Sequence, residues 1–118
     1  QDRPEATTEN HMTTYAIAHL RNVDMGPYIV AYLEAIDATL APYDGRFVIH
    51  GNGNRKVLEG DWQGDLVMIA FPDRQSAEDW YASSAYQAIL PLRTQNAEGE
   101  AILVDGVEPD HRATDILR

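Results

Sequence analysis

An α+β domain, with one antiparallel sheet and its helices on a single face, is what the sequence predicts, on three observations. Residues 13–21 read as a strand that divides Tyr15, Ile17 and His19 from Ala16, Ala18 and Leu20 between two faces, while apolar residues recur at helical spacing from Ile29 to Leu40 and fill all six positions of 66–71. Segments of these kinds follow one another as strand, helix, strand, strand, helices, strand in a chain of 118 residues. That length suits one domain, which can bury roughly two thirds of the surface its unfolded chain exposes.

Residues 1–10 are polar, have no apolar period and contain Pro4, so 1–12 is expected to be a disordered leader. His11-Met12 reads as the remnant of a cloning junction, with Met12 as the natural start. Residues 13–21 form a first strand, with Tyr15, Ile17 and His19 on one face and Ala16, Ala18 and Leu20 on the other. Asp24 can cap the helix that follows, and Pro27 fits its first turn, where an amide has no helical partner. Ile29, Tyr32, Leu33, Ile36 and Leu40 make one apolar stripe, ended by Pro42 and Asp44-Gly45.

Residues 46–50 form a second strand. The Gly-Asn-Gly-Asn run after it accepts positive φ, so the chain is expected to double back through 56–59 as a hairpin arm. The third strand, 66–71, is apolar throughout, which implies burial on both faces. Asp73 or Ser76 opens a second helical region whose inward side holds Ala77, Trp80 and Tyr81. Ser83-Ser84 breaks it and caps a further helix with Tyr86, Ile89, Leu90 and Arg93, in which Pro91 predicts a kink or an early end. Residues 101–104 make the last strand and 13–106 the domain; the charged tail, 107–118, has only Ile116-Leu117 as an apolar anchor.

Right-handed crossovers put both helical regions on the same side of the sheet, which is the ferredoxin-like βαββαβ arrangement. The other side is then bare. Its apolar and aromatic residues would form a larger exposed patch than soluble monomers tolerate, so a second copy packing sheet on sheet about a two-fold axis is expected.

Composition narrows the partners. A net charge of −10 opposes binding to nucleic acid or an anionic membrane. The absence of cysteine excludes disulfides and thiolate chemistry. No apolar stretch approaches the roughly 20 residues that span a bilayer, so a cytoplasmic protein is expected.

Phe47-Val48-Ile49-His50-Gly51, Leu58-Glu59-Gly60-Asp61-Trp62, Val67-Met68-Ile69-Ala70-Phe71-Pro72, Ala77, Trp80-Tyr81, Tyr86-Gln87, Arg93 and Val104-Asp105-Gly106 stand in an order that resembles domain of unknown function family 1330. The resemblance implies a dimeric α+β barrel, related in shape to small monooxygenases, isomerases and decarboxylases, without implying a reaction. His50 stands where members commonly carry arginine, and Asp65 where they carry a basic residue. Those departures favour a neutral or cationic ligand.

His19 and His50, on strands flanking the third, are the candidate catalytic bases, since imidazole titrates near neutral pH. Glu59, close to Trp62, is a candidate acid whose carboxyl an indole can desolvate. The three together match a two-histidine, one-carboxylate iron set, but no short-range motif supports it, and no metal or cofactor is expected. Tyr15, Tyr28, Tyr32, Trp80, Tyr81 and Tyr86 are expected to face inward. Of these Tyr15, Tyr32, Trp80 and Tyr81, together with Trp62, are the candidate ligand-binding aromatics. Arg93 is a further binding candidate, though pairing with an internal carboxylate or carbonyls is the plainer expectation. The reading is a homodimer that binds a small organic molecule, with cofactor-independent acid/base chemistry open to it. A non-catalytic binder and a purely structural or interaction dimer are the alternatives.

Overall fold

The computed structural model describes residues 12–51 and 53–117, so the expected leader lies, apart from Met12, outside the described residues. The elements are β1 (Thr14–Arg21), α1 (Pro27–Leu40), a 3-10 turn (Ala41–Tyr43), β2 (Arg46–Gly51), β3 (Asp65–Phe71), α2 (Arg74–Ala82), α3 (Ser84–Thr94), β4 (Glu98–Asp105) and a terminal 3-10 turn (Ala113–Leu117). The four strands pair antiparallel in the order β2-β3-β1-β4. This is the ferredoxin-like α+β order, its second crossover split into two helices.

Register fixes the faces. Thr14, Ala16, Ala18 and Leu20 pair with Phe71, Ile69, Val67 and Asp65 on one side and with Asp105, Leu103, Ala101 and Gly99 on the other, forming the face beneath the helices. Tyr15, Ile17 and His19, with Ala70, Met68 and Leu66, form the opposite face. In β2 the register slips between Phe47 and Ile49, so Val48 has no opposite number. This bulge returns His50 to the helix side, across from Val67, and stacks its ring on Phe47 at 4.4 Å.

The core lies between the helices and one half of the sheet. Tyr32, Ile36 and Leu40 of α1 meet Ile69 and Phe71 of β3, closed over by Ala77, Trp80 and Tyr86. Leu40 and Phe71 approach Gly45 so closely that a Cβ there would stand 2.7 Å from each. Trp80 is pinned by its indole N–H, which donates to Thr39 Oγ1 at 3.0 Å, and Thr39 in turn donates to the Ile36 carbonyl at 2.7 Å. Both residues are buried, so these bonds answer groups that water does not reach.

Caps explain two of the helix starts. Asp73 accepts from the Ser76 amide at 2.8 Å and Ser83 from the Tyr86 amide at 3.2 Å. Asp24 does not cap α1, contrary to expectation: Gly26 holds that position without a side-chain bond, while the Asp24 amide ties to the Asn96 carbonyl. Pro91 does not end α3, which continues to Thr94, with the Pro91 carbonyl accepting from Gln95. The expected hairpin arm is also absent, because 53–64 contains no strand. Gly60 and Gly64 there have positive φ, and at Gly64 a Cβ would strike the Leu20 carbonyl. Ile116 and Leu117 are four-fifths exposed and anchor nothing among the described residues.

Candidate ligand cavity

A cavity of about 490 Å³ opens between the sheet and α1. Leu40, at the C-terminal end of α1, clusters with Phe71, and the main helical neighbour of α1 is α3. Ala16 and Ala18, small residues at the middle of β1, leave the floor low. Ile29, Leu33, Phe47, Val67 and Leu103 make apolar walls, and Trp80, Tyr81 and Tyr86 make an aromatic one.

Three polar side chains converge inside. Tyr32 and Tyr86 join their hydroxyls at 2.7 Å in a buried hydrogen bond, with the rings edge to face at 6.1 Å. Arg93 places its guanidinium 5.9 Å from the centre of the Tyr32 ring, a cation–π contact. Burial, followed by the neighbouring Tyr86 hydroxyl, pushes the Tyr32 phenol far above its ordinary range, against a smaller opposing effect of Arg93. Tyr32 is therefore protonated at neutral pH. Burial works against the Arg93 charge, yet the two hydroxyls outweigh it and hold the guanidinium above its usual value.

A second polar group lies on the strands bordering the cavity. His50 lines the cavity but is itself exposed, and among the described residues no hydrogen bond orients its ring. Asp65 also lines it and is answered by Arg55 at 3.6 Å, so its charge is not left for a ligand to balance.

The structure thus brings Tyr32, Trp80, Tyr81, Arg93 and His50 around one space and leaves the other candidates outside. His19 is on the opposite face of the sheet, where Arg21 donates to Nδ1 at 3.2 Å. A guanidinium can only donate, so the ring proton is on Nε2, which bonds the Gln63 carbonyl. Both nitrogens are engaged, and His19 and His50 do not converge. Trp62 covers His19 at 4.8 Å and donates to the Gly64 carbonyl at 2.9 Å. Glu59 borders a separate groove beside β2, on the loop where a strand was expected. Tyr15 lies on the bare face, and Tyr28, expected inside, is 60% exposed. Among the described residues no group of three or more histidines and carboxylates stands at metal-binding distance, so His19, His50 and Glu59 do not form a ligand set.

Sequence reasoning missed the convergence of Tyr86 with Tyr32 and Arg93. Their i, i+7 spacing on α3 was a signal that Tyr86 and Arg93 share a side, but nothing local reveals that Tyr32 of another helix meets them. The expected carboxylate partner of Arg93 is also missing, since none of the ion pairs among the described residues includes it.

Residues 13–107 match the model of the family described as domain of unknown function (DUF1330). The chain belongs to the DUF1330 family. Among solved structures, the RPA0582 protein of unknown function from Rhodopseudomonas palustris superposes with a TM-score of 0.62 at 12% identity, covering 92% of this chain and 97% of that one. HapK from Hahella chejuensis does so with a TM-score of 0.52 at 18% identity, covering 86% and 99%. SnoaB, a cofactor-independent oxygenase from Streptomyces nogalater, gives 0.50 at 15% identity, covering 87% and 99%. At such identities the likeness is one of fold. No curated protein matches the sequence. Among the described residues of this DUF1330 protein, no helix is long and apolar enough to cross a membrane.

Proposed function

We propose that this DUF1330 protein binds a small organic molecule in the cavity between its sheet and α1. The observation that carries the reading is a largely apolar space of about 490 Å³ into which a few polar groups converge. Small-molecule sites are typically of about 300–1,000 Å³ and have that character, because apolar walls supply affinity and sparse polar groups supply orientation. The shared fold with a cofactor-independent oxygenase is compatible with this and says nothing of the ligand.

A screen of organic fragments by thermal shift and NMR tests the reading. Fragments that raise the melting temperature should shift resonances of Tyr32, Trp80 and Leu103. Ala18→Phe, which fills the floor, should abolish the effect while leaving a native circular dichroism spectrum. Fragments that bind the Ala18→Phe variant as well as the wild type would discard the cavity as their site.

Acid/base chemistry in the same cavity falls to His50, the one imidazole among the described residues that reaches it. For a substrate found by turnover, His50→Gln should lower kcat about 100-fold or more with little change in affinity. Unchanged turnover would discard His50 as the base; a non-catalytic binder is the alternative, favoured by the lack, among the described residues, of a hydrogen bond to orient that ring.

The bare face supports a homodimer. Ile102 is 57% exposed and Val104 40%, beside half-buried Tyr15, Ile17 and Met68. A second copy placed sheet to sheet would cover these residues with their own equivalents, as a two-fold interface requires.

A further inference from the structure

We propose that Arg93, with Tyr32 and Tyr86, is the recognition point for the carboxylate of a small organic acid whose apolar body fills the cavity. The inference rests on the cavity being a ligand site, and it names the class of ligand.

Arg93 is half-buried, and no carboxylate among the described residues pairs with it. Its neighbours are the Tyr32 ring and the hydroxyls of Tyr32 and Tyr86. A charge removed from water without a counter-charge is costly, so an anion that enters gains more here than it would beside an exposed arginine. The guanidinium presents its N–H groups as a planar fork whose spacing fits the two oxygens of a carboxylate.

The tyrosines add to the same imbalance. Two hydroxyls 2.7 Å apart share one hydrogen between them, so the other hydrogen is left to donate outward. Burial keeps Tyr32 protonated, which preserves that donor at neutral pH. The cluster therefore offers several donors, and a carboxylate, which only accepts, is their complement. A neutral amide or alcohol would bring further donors to a place already rich in them.

The sequence departures at His50 and Asp65 suggested a neutral or cationic ligand, but the charge at Asp65 is met by Arg55. The cation that lines the cavity with no ion pair among the described residues is Arg93, on α3. The aromatic wall of Trp80 and Tyr86, whose ring centres are 4.1 Å apart, suits a flat or slender apolar body.

Isothermal titration with matched pairs tests this: benzoate against benzamide, 2-naphthoate against 2-naphthamide, and hexanoate against hexanamide. Each pair keeps the body and changes the head. Wild-type protein should bind at least one carboxylate about tenfold or more tighter than its amide. Arg93→Gln should abolish the preference for that carboxylate over its amide, with a native circular dichroism spectrum showing that the variant is folded. Arg93→Lys, which retains the charge and loses the fork, should fall between the two. Amides that equal the acids in the wild type, or a preference that survives Arg93→Gln, would overturn the carboxylate assignment while leaving the cavity a ligand site. If no member of any pair binds, the small-acid inference falls; fragments of other classes that still bind in the separate screen would keep the cavity reading standing.

Discussion

Replacing Thr39 by valine isolates the bond that holds the aromatic wall of the cavity. The Trp80 indole N–H has the Thr39 hydroxyl as its acceptor, and the two residues are 3% and 6% exposed. Valine has nearly the shape and helix propensity of threonine, so the change removes the acceptor without carving a cavity or weakening α1. An indole N–H left buried and unanswered costs about 1–3 kcal/mol. The gain from placing a methyl group in apolar surroundings offsets part of this, which leaves about 2 kcal/mol. At about 4–8 °C per kcal/mol for a domain near this size, the melting temperature should fall by about 10 °C. Urea titrations at one fixed protomer concentration, followed by Trp fluorescence and circular dichroism, should show a lower midpoint with an unchanged slope. Thr39→Ser keeps the hydroxyl and should cost only about 1 kcal/mol for the lost methyl. In a Trp80→Phe background the valine penalty should largely vanish. A cost below about 0.5 kcal/mol, or an equal cost with and without the indole, would refute the role given to this bond.

Two further outcomes follow from the edges of the sheet. Asp105 accepts from Thr14 Oγ1 at 2.8 Å and pairs with Arg74 at 3.1 Å, and these contacts, Thr14 first, hold its carboxyl below the usual value of 3.8. A depressed carboxyl stabilises the fold above its unfolded pKa and loses that contribution as pH falls through the folded one. The gap in melting temperature between wild type and Asp105→Asn should therefore be constant near neutrality and narrow below about pH 4; a gap as wide in strong acid would contradict it. On the bare face, sedimentation at about micromolar concentration should give twice the chain mass for the wild type, and a single chain with native circular dichroism for Ile102→Lys. A wild type that sediments as one well-folded chain would remove the case for the homodimer.

Much of the architecture could be read along the chain because it depends on near neighbours. Period-two alternation in β1 separated Tyr15, Ile17 and His19 from Ala16 and Ala18, and the pairing with β3 keeps that division. Ser83 and Asp73 start helices because a short polar side chain reaches an amide three residues on. Where the reading failed, a distant contact outweighed the local signal. Asp24 gave up its expected cap as its backbone joined the end of α3, and α3 passes Pro91 because a proline removes one bond without ending a helix packed along α1.

The candidate site was legible residue by residue but not as a constellation. Tyr32, Trp80, Tyr81, Arg93 and His50 are all named by their chemistry in the sequence, as are His19, Glu59, Tyr15 and Trp62, which do not reach the cavity. Two non-local facts separate the groups. The extra residue at Val48 turns His50 toward the helices, and alternation alone cannot show a bulge. The packing of α1 on α3 sets Tyr32 against Tyr86 and Arg93 at one side of the space.

The sequence by itself determined the four strands and three helices, though it also suggested a hairpin arm that does not form, the face of β1 that each side chain takes, and the family, since each follows from spacing and short-range bonding. Only the tertiary structure decided which polar groups share a cavity and that Arg93 stands among them with no ion pair among the described residues. Those properties belong to residues far apart in the chain, brought together where α1 packs on α3.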